Sequence, residues 1–223
     1  MNPNKLWERA WKLRGYDELN PDRNIVKLVS YFKRKKFKRI LDLGCGIGRH
    51  MVYLGRQGFY MVGLDISPTA LKLADRWMKK EELKNYSLVK HDMVRLPFPD
   101  KSFDAVIGVH VIQHNKLYKI EKTVKEIRRV LKVNGATFIT LPSTKDRKFG
   151  AGKIIEHNTY LSPHTITDAE KGQAAVHRFF DKDETKKLFS QFKTISMKEE
   201  IRDLKFKGRI KKSVHWLILC QKI

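Results

Sequence analysis

The chain has 223 residues, 41% of them apolar, which excludes a mainly disordered protein and predicts a single domain over residues 1–223. No apolar run approaches the roughly 20 residues that cross a bilayer, and the N-terminus lacks the apolar core of a secretory signal. Two cysteines cannot build a disulfide framework. We therefore expect a cytoplasmic protein without a membrane span. Lys and Arg total 47 against 24 Asp and Glu, and the net charge of +23 indicates either a polyanionic partner such as nucleic acid or a lysine-rich solvated surface.

Strand-like and helix-like runs alternate along the chain, which is typical of an α/β protein with a parallel sheet. Apolar residues at helical spacing predict helices over residues 24–37, 48–59, 68–77 and 119–132. Short apolar runs predict strands over residues 39–43, 60–66, 87–93, 103–112 and 136–142. Two later runs, 193–204 and 213–223, are close enough to form an antiparallel hairpin with a basic loop.

Cap and turn residues mark several boundaries of these elements. Ser67 is a plausible N-cap with Pro68 at the first helical position. Asp181 and Glu184 have the spacing of a capping box, and Asn134 with Gly135 predicts a turn before the fifth strand.

Two segments are predicted to cover a site rather than to build the sheet. Residues 143–180 have little periodicity, and a stretch of that length inside a compact domain is typically a lid or a substrate insertion. Residues 1–23 carry Trp7, Trp11 and Tyr16, which fit either a flap over a pocket or an amphipathic helix packed on the domain.

The strongest motif is the run from Asp42 to Gly48, Asp-Leu-Gly-Cys-Gly-Ile-Gly, between a strand and a helix. That context is typical of a glycine loop that brings the backbone close to a nucleotide. A dinucleotide fingerprint needs its third glycine at position 49, which is Arg49, and the Asp42 carboxylate would repel a pyrophosphate. The loop therefore favours a nucleoside ligand that carries positive charge over NAD.

Two further acids follow the next two predicted strands. Asp65 ends the second strand, where a carboxylate accepts hydrogen bonds from ribose hydroxyls, and Asp92 ends the third, where it could bind an adenine amino group. Because open α/β sheets bind ligands at the carboxyl ends of their strands, we expect both acids to lie beside the glycine loop.

The segments ILDLGCGIGRH, VGLDIS, HDMVRLPFPDKSFDAVIGVHVIQH and EIRRVLKVNGATFITLP resemble the successive motifs of class I S-adenosylmethionine-dependent methyltransferases, most closely those that methylate small molecules, as in quinone biosynthesis. The resemblance is dense over residues 35–142. It implies a Rossmann-like fold with a seven-stranded, mostly parallel sheet in the order 3-2-1-4-5-7-6, strand 7 antiparallel, and helices on both faces. It also implies S-adenosylmethionine as the cofactor.

The resemblance implies a cofactor site made of the loop, the acids and the residues beside them. The residues expected to bind the cofactor are Asp42, Gly44, Cys45, Gly46, Gly48, Asp65, Ile66, Asp92, Met93 and Val109. Asp42 would lie near the ammonium group, Asp65 at the ribose, and Asp92 with Met93 at the adenine.

The acceptor side of the site is less defined by sequence. His110 and His114 follow the fourth strand, and strand alternation would put them on one side of it. We expect His114, Tyr160 and His177 to contact the substrate, and the spacing of the histidines in residues 143–180 does not match a zinc site, so we expect no metal. No catalytic residue is assigned, since a base is needed only when the acceptor must lose a proton.

Three functions are compatible with these residues. The first is a methyltransferase for a small-molecule acceptor. The second is an RNA methyltransferase, favoured by the basic charge, although VHVIQH stands where an amino-methylating enzyme of nucleic acids has its [DN]-P-P-Y motif. The third is a non-catalytic nucleic-acid-binding module on the same fold. Nothing in the sequence indicates the oligomeric state.

Overall fold

The computed structural model describes residues 3–14, 19–162, 174–206 and 209–223. The helices are α1 (Pro3–Arg14), α2 (Arg23–Arg34), α3 (Arg49–Arg56), α4 (Pro68–Lys80), α5 (Leu117–Val130) and α6 (Lys182–Leu188). The strands are β1 (Arg39–Leu43), β2 (Tyr60–Asp65), β3 (Tyr86–Lys90), β4 (Phe103–Gly108), β5 (Leu131–Pro142), β6 (Lys153–Glu156), β7 (Thr159–Ser162), β8 (Ala175–Arg178), β9 (Lys193–Phe206) and β10 (Arg209–Gln221). Tyr16 and His164 lie outside the described residues.

Seven strands form the main sheet in the order β3-β2-β1-β4-β5-β10-β9. The first five are parallel to one another, whereas β10 is antiparallel to both β5 and β9. With β9 and β10 counted as the sixth and seventh strands, this confirms the order 3-2-1-4-5-7-6 and the antiparallel seventh strand.

Helices cover both faces of this sheet because the side chains of β1 and its neighbours alternate between two apolar clusters. On one face, Ile40 packs in a cluster with α2 and α3 that includes Phe32 and Met51. On the other face, Leu41 packs in a cluster with α5 that includes Ile127. Strands β1, β2 and β4 are buried along almost their whole length, which explains why they read as continuous apolar runs.

Two predicted caps are present. The Ser67 hydroxyl accepts a hydrogen bond from the Ala70 backbone at 3.1 Å and starts α4. Asp181 and Glu184 form a reciprocal capping box at the start of α6. Each satisfies backbone N–H groups that the first turn of a helix leaves unpaired.

The segment 143–180 is more regular than its sequence indicated. It contains a second, antiparallel sheet in the order β6-β7-β8, and its residues 163–173 lie outside the described part of the chain. These strands have only four residues each, so alternation is too brief to be distinguished from a loop.

Several predicted boundaries were wrong; β3, for example, ends at Lys90 rather than at residue 93, so Asp92 lies in the loop after it. Strand β4 ends at Gly108 rather than at residue 112, because His110 takes a left-handed backbone (φ 56°) and its N–H donates to the Thr140 hydroxyl instead of a ladder carbonyl. The expected turn at Asn134 is a left-handed residue (φ 63°) inside β5. Most of the expected basic loop belongs to β9 and β10, which extend to Phe206 and from Arg209.

No helix within the described ranges is long and apolar enough to span a membrane.

Candidate functional site

A cavity of about 360 Å³ opens at the carboxyl ends of the parallel strands. Its wall is formed by the loops after β1, β2, β3 and β4, by the start of β10 and by α1. We call the wall that includes Gly44, Cys45, Gly46, Asp65, Ile66, Asp92 and Met93 the glycine-loop half. The histidine half is formed by residues that include His110, Gln113, His114, Asp146, His177, Ser213 and His215.

The glycine loop turns sharply after β1 and lines the cavity with backbone. Gly44 and Gly46 have φ angles of 65° and 54°, which residues with a side chain rarely adopt. A Cβ atom at Gly44 would lie 2.1 Å from Cγ2 of Val111, and one at Gly46 would lie 2.7 Å from the Trp11 ring. Glycine is therefore required at both positions by backbone conformation and by space.

Cys45 lies inside this loop and is buried. Its N–H donates to the Leu64 carbonyl at 3.0 Å, which ties the loop to β2. Burial, with the nearby Asp65 and Asp42 carboxylates, raises the pKa of the thiol well above its usual value. Cys45 is thus a small packing residue that stays protonated, not a nucleophile.

Asp65, the last residue of β2, is a buried carboxylate at the cavity wall. Its Oδ2 accepts from the Gly46 backbone and its Oδ1 from the Ser67 backbone, both at 2.9 Å. Burial raises the pKa of this carboxyl to about 6. Each carboxylate oxygen has a second lone pair, so Asp65 can accept two further hydrogen bonds from a ligand.

Asp42 lies behind the glycine loop instead of on the cavity wall. His50 lies between Asp42 and the cavity. The His50 Nδ1 atom is 3.8 Å from Asp42 Oδ2, and His50 itself lines the cavity. Among the described residues, neither Asp42 Oδ2 nor His50 Nε2 has a hydrogen-bond partner, although both atoms are buried. Such atoms are costly unless a ligand or solvent satisfies them.

The loop after β3 brings Asp92 and Met93 to the same cavity. Asp92 is exposed, and its Oδ1 accepts from the Val94 backbone at 3.0 Å. Met93 is half-buried and packs against the α5 side of the core. Of the residues expected to bind a cofactor, the structure places eight on the wall: Gly44, Cys45, Gly46, Asp65, Ile66, Asp92, Met93 and Val109. Asp42 and Gly48 lie behind it, Gly48 as the left-handed N-cap of α3.

The histidine half brings together four imidazoles from distant parts of the chain. The rings of His110 and His215 lie 4.6 Å apart, and those of His114 and His177 lie 5.0 Å apart. Burial lowers the pKa of His114 and of His215 to about 4 and that of His177 to about 2, and it lowers the pKa of His110 well below its usual value. All four imidazoles are therefore neutral near pH 7.

Strand alternation was the wrong reason to pair His110 with His114, because β4 ends before either residue. His114 instead lies in the loop leading to α5, where its Nδ1 is 3.1 Å from the Val176 carbonyl of β8. The structure also keeps Tyr160 off the cavity wall: its ring packs against Phe149 and Phe179 in the core of the small sheet.

Helix α1 covers both halves of the cavity. The ring centroids of Trp7 and His114 lie 4.8 Å apart, and the Trp11 ring lies over Gly46. The helix is held by Glu8, whose carboxylate accepts from the Ser67 hydroxyl at 2.7 Å and the Thr69 backbone at 3.1 Å. These contacts are compatible with both alternatives for residues 1–23, a flap over the pocket and a helix packed on the domain.

Sequence reasoning missed several residues of the wall, above all Asp146, Ser213 and His215. His215 stands in the run 213–223, which the sequence predicts as one strand of an antiparallel hairpin. Because β10 is antiparallel, its first residues lie at the same sheet edge as the ends of the parallel strands, and this direction was the signal that could have found it. In the part of the chain that the structure describes, no group of three His, Cys, Asp or Glu side chains is arranged to hold a metal.

Residues 41–139 match the profile of the protein family described as "Methyltransferase domain". The chain is 35% identical to ajmaline N-methyltransferase of Rauvolfia serpentina over 109 residues, which are 48% of this chain and 36% of that enzyme. It is 30% identical to the ubiquinone biosynthesis O-methyltransferase of Pelagibacter ubique over 143 residues, 60% of this chain and 58% of that enzyme. The chain thus spans about a third to three fifths of these curated relatives.

Among solved structures, the chain is similar to one described as a SAM-dependent methyltransferase from Methanosarcina mazei. The superposition has a TM-score of 0.67 and covers 83% of this chain and 92% of that one, at 21% identity. At this identity the similarity supports the fold alone.

Proposed function

We propose that this protein is a class I S-adenosylmethionine-dependent methyltransferase that transfers a methyl group to a small-molecule acceptor, because residues 41–139 match the family described as "Methyltransferase domain". The observation that carries the proposal is the shared cavity, in which the glycine loop and Asp65 face the same space as the four histidines. A donor held in one half and an acceptor held in the other would meet within it. Proximity and orientation of this kind can supply on the order of 7–11 kcal/mol of a reaction barrier.

The residues of the glycine-loop half fit the cofactor. The Gly44 and Gly46 backbone lines the cavity where the methionine part would bind, and Asp65 has lone pairs for the ribose hydroxyls. The unpartnered Asp42 Oδ2, with His50 in front of it, supplies negative charge for the ammonium group. Asp92 and Met93 would hold the adenine edge and face, and Ile66 and Val109 would close the pocket around it.

When bound, the cofactor supplies a sulfonium methyl group that an acceptor atom displaces in line. The chain's own residues bind, align and exclude water. The acids of the glycine-loop half draw the positive charge to that side, and the four imidazoles of the histidine half are neutral at neutral pH. Trp7 and Trp11 cover the cavity and keep the two ligands out of bulk water.

The first test is a calorimetric titration of S-adenosylmethionine into the protein and into Asp65→Asn. Removing the negative charge weakens hydrogen bonds to the ribose, and we expect a loss of about 1.5–3 kcal/mol, roughly 10- to 150-fold in Kd. The matched control is Asp104→Asn. Asp104 also accepts from two backbone N–H groups, those of Lys38 and Arg39, but it lies at the opposite edge of the sheet. Equal losses in both variants would contradict the ribose assignment.

The second test locates the acceptor. The protein is incubated with a cell extract and methyl-labelled S-adenosylmethionine, and the label is followed into metabolite, RNA and protein fractions. We expect it in the metabolite fraction, because the histidine half belongs to a concave cavity of about 360 Å³, a size that suits a small molecule. Label confined to the RNA or protein fraction would overturn the small-molecule half of the proposal.

A further inference from the structure

A chain of hydrogen bonds runs from a buried carboxylate to an imidazole in the histidine half. Asp146, in the loop after β5, accepts at Oδ2 from the Ser213 hydroxyl at 3.0 Å and from the Val214 backbone at 2.7 Å. Its Oδ1 accepts from the Lys148 backbone at 2.9 Å. The Ser213 oxygen lies 3.2 Å from Nδ1 of His215. Asp146, Ser213 and His215 all line the cavity.

These contacts assign the protonated nitrogen of His215. A carboxylate only accepts hydrogen bonds, so the single hydroxyl proton of Ser213 is directed to Asp146. The Ser213 oxygen then offers lone pairs to His215, whose Nδ1 must carry the hydrogen. In the neutral ring the other nitrogen, Nε2, is left with a lone pair that accepts a proton or a hydrogen bond.

The topology of the sheet puts His215 beside the expected acceptor. His215 pairs with Pro142 at the carboxyl end of β5, and its ring contacts His110, which follows β4. Asp65 lies on β2, separated from β10 in the sheet by β1, β4 and β5. The relay thus stands on the side of the cavity away from the residues that fit the cofactor.

His114 provides an informative contrast. Its Nδ1 is also held, but by the Val176 backbone carbonyl at 3.1 Å. A carbonyl can fix the tautomer of an imidazole, yet it has no net charge with which to stabilise the imidazolium that forms when a proton is taken up. A carboxylate, acting through a hydroxyl, has that charge.

We propose that Nε2 of His215 accepts the proton of the methyl acceptor, that Ser213 and Asp146 are its positioning residues, and that the acceptor is an acidic hydroxyl compound such as a phenol. This inference rests on the proposed function. As the bond between the acceptor oxygen and the methyl carbon forms from an oxygen lone pair, the S–CH3 bond breaks and its electron pair goes to sulfur. The hydroxyl proton passes to His215, so the products are the methyl ether, S-adenosylhomocysteine and an imidazolium.

The environment of His215 fits this chemistry. Burial lowers its pKa to about 4, and the charged groups around it are Asp146 and Lys148 after β5, Arg202 on β9 and Asp22 before α2. A base of this strength takes up a proton late, when the attacking oxygen has become acidic through bond formation. A neutral amine attacks with its own lone pair and needs no base for that step. The relay therefore fits a hydroxyl acceptor better than an amine.

The first experiment needs no acceptor. Long-range nitrogen–proton NMR spectra of protein labelled with 15N-histidine, recorded with and without S-adenosylmethionine, report which nitrogen of His215 is protonated. We expect Nδ1–H in the wild-type protein and in Ser213→Thr, which keeps the hydroxyl, and a mixture of tautomers in Ser213→Ala. A wild-type His215 protonated at Nε2 would overturn the proposal.

The second experiment measures methyl transfer from labelled S-adenosylmethionine to a panel of phenols, catechols and arylamines. We expect His215→Gln to lower kcat by roughly 10²–10⁴-fold with an unchanged Kd for S-adenosylmethionine. Ser213→Ala should lower kcat and displace the pH profile, and Ser213→Thr should restore both. The matched control is His157→Gln, because His157 is exposed and off the cavity wall.

The outcomes separate the two proposals. If the wild-type protein binds no S-adenosylmethionine, the proposed function is wrong. If it binds and transfers methyl groups but His215→Gln is as active as the wild type, or only arylamines are methylated, the proton-acceptor role or the hydroxyl class is wrong, while the proposed function stands.

Discussion

The two halves of the cavity are built by different means. The glycine-loop half comes from one short stretch around residues 42–66, together with the loop after β3, and it presents backbone and carboxylates. The histidine half is assembled from residues between 110 and 215, and it presents neutral imidazoles and amides. The glycine-loop half therefore presents carboxylates to a ligand, whereas the histidine half presents neutral imidazoles beside the charged residues Asp146, Arg147 and Lys148.

This difference indicates how one enclosed space can hold two ligands in a fixed order. A cationic ligand is attracted to the side with Asp42 and Asp65, because the Coulomb interaction is strong in a buried site. On the other side, charges of both signs, Asp146 with Arg147 and Lys148, line the cavity, and Val176 and Ser213 impose tautomers on His114 and His215. Changes on one side should consequently affect binding of the donor, and changes on the other should affect acidity and transfer.

The largest expected effect comes from filling the glycine loop. In Gly44→Ala the new Cβ would lie 2.1 Å from Val111 Cγ2 at a φ of 65°, so we expect the free energy of unfolding to fall by about 2–4 kcal/mol. Binding of S-adenosylmethionine should fall at least about tenfold, because the loop must move to relieve the clash. Urea unfolding and calorimetry measure the two quantities.

The matched control for that substitution is Gly58→Ala. Gly58 has a φ of 90°, but a Cβ there meets nothing within 4 Å. Gly58→Ala should therefore lower the free energy of unfolding only by the strain of a left-handed alanine, about 1–2 kcal/mol, and leave the cofactor affinity normal. If Gly58→Ala weakened binding as much as Gly44→Ala, general loss of stability would explain both results and the glycine-loop half would lose its special role.

An intermediate effect on stability is expected when the pH is lowered, because the buried histidines of the histidine half are neutral in the folded protein. Burial lowers the pKa of His177 to about 2, whereas the unfolded chain titrates near 6.5, so stability is present above pH 6.5 and is lost as pH falls towards the folded value. When the pH falls from 6.5 to 5, keeping His177 neutral in the folded protein should lower the free energy of unfolding by about 2 kcal/mol. His177→Phe, which keeps a ring to stack on Phe179, should remove this loss.

Urea unfolding at pH 7 and pH 5 checks the acid effect. The control substitution is His157→Gln, at an exposed histidine outside the cavity wall, measured under the same conditions. A His177→Phe protein that loses as much stability on acidification as the wild type would show that this imidazole is not kept neutral by burial.

The smallest expected effect comes from loosening α1, the helix that covers both halves of the cavity. Glu8→Gln weakens the hydrogen bonds that hold α1 to Ser67 and Thr69, and we expect a loss of about 0.5–1.5 kcal/mol in local stability. Hydrogen exchange of the α1 amides should accelerate, while the amides of the central strands exchange as before. Glu121→Gln, on the exposed side of α5, is the control and should change neither.

Much of the glycine-loop half could be predicted because its chemistry is local. The order strand, acid, glycine loop, helix is visible over residues 39–56, and parallel strands place Asp65 and Asp92 at the same edge as the loop. Even here the sequence could not tell that Asp42 points behind the loop, since that depends on how His50 packs in front of it.

The histidine half could not be predicted to the same degree. His114 and His177 were expected to contact a ligand, but Tyr160, from the same segment, packs into the small sheet instead. Strands of four residues have too little pattern to reveal that sheet. His215 was hidden because a single imidazole in an apolar strand looks like a core residue.

By itself the sequence determined the α/β class, the strand order of the main sheet through its resemblance to a known family, and the glycine loop with its acids. These follow from short-range periodicity and from motifs whose residues are neighbours in the chain. Only the tertiary structure decided which groups face the acceptor. Asp146, Ser213 and His215 come together because the antiparallel β10 returns to the edge where β5 ends, and a contact of that kind depends on the packing of strands far apart in sequence.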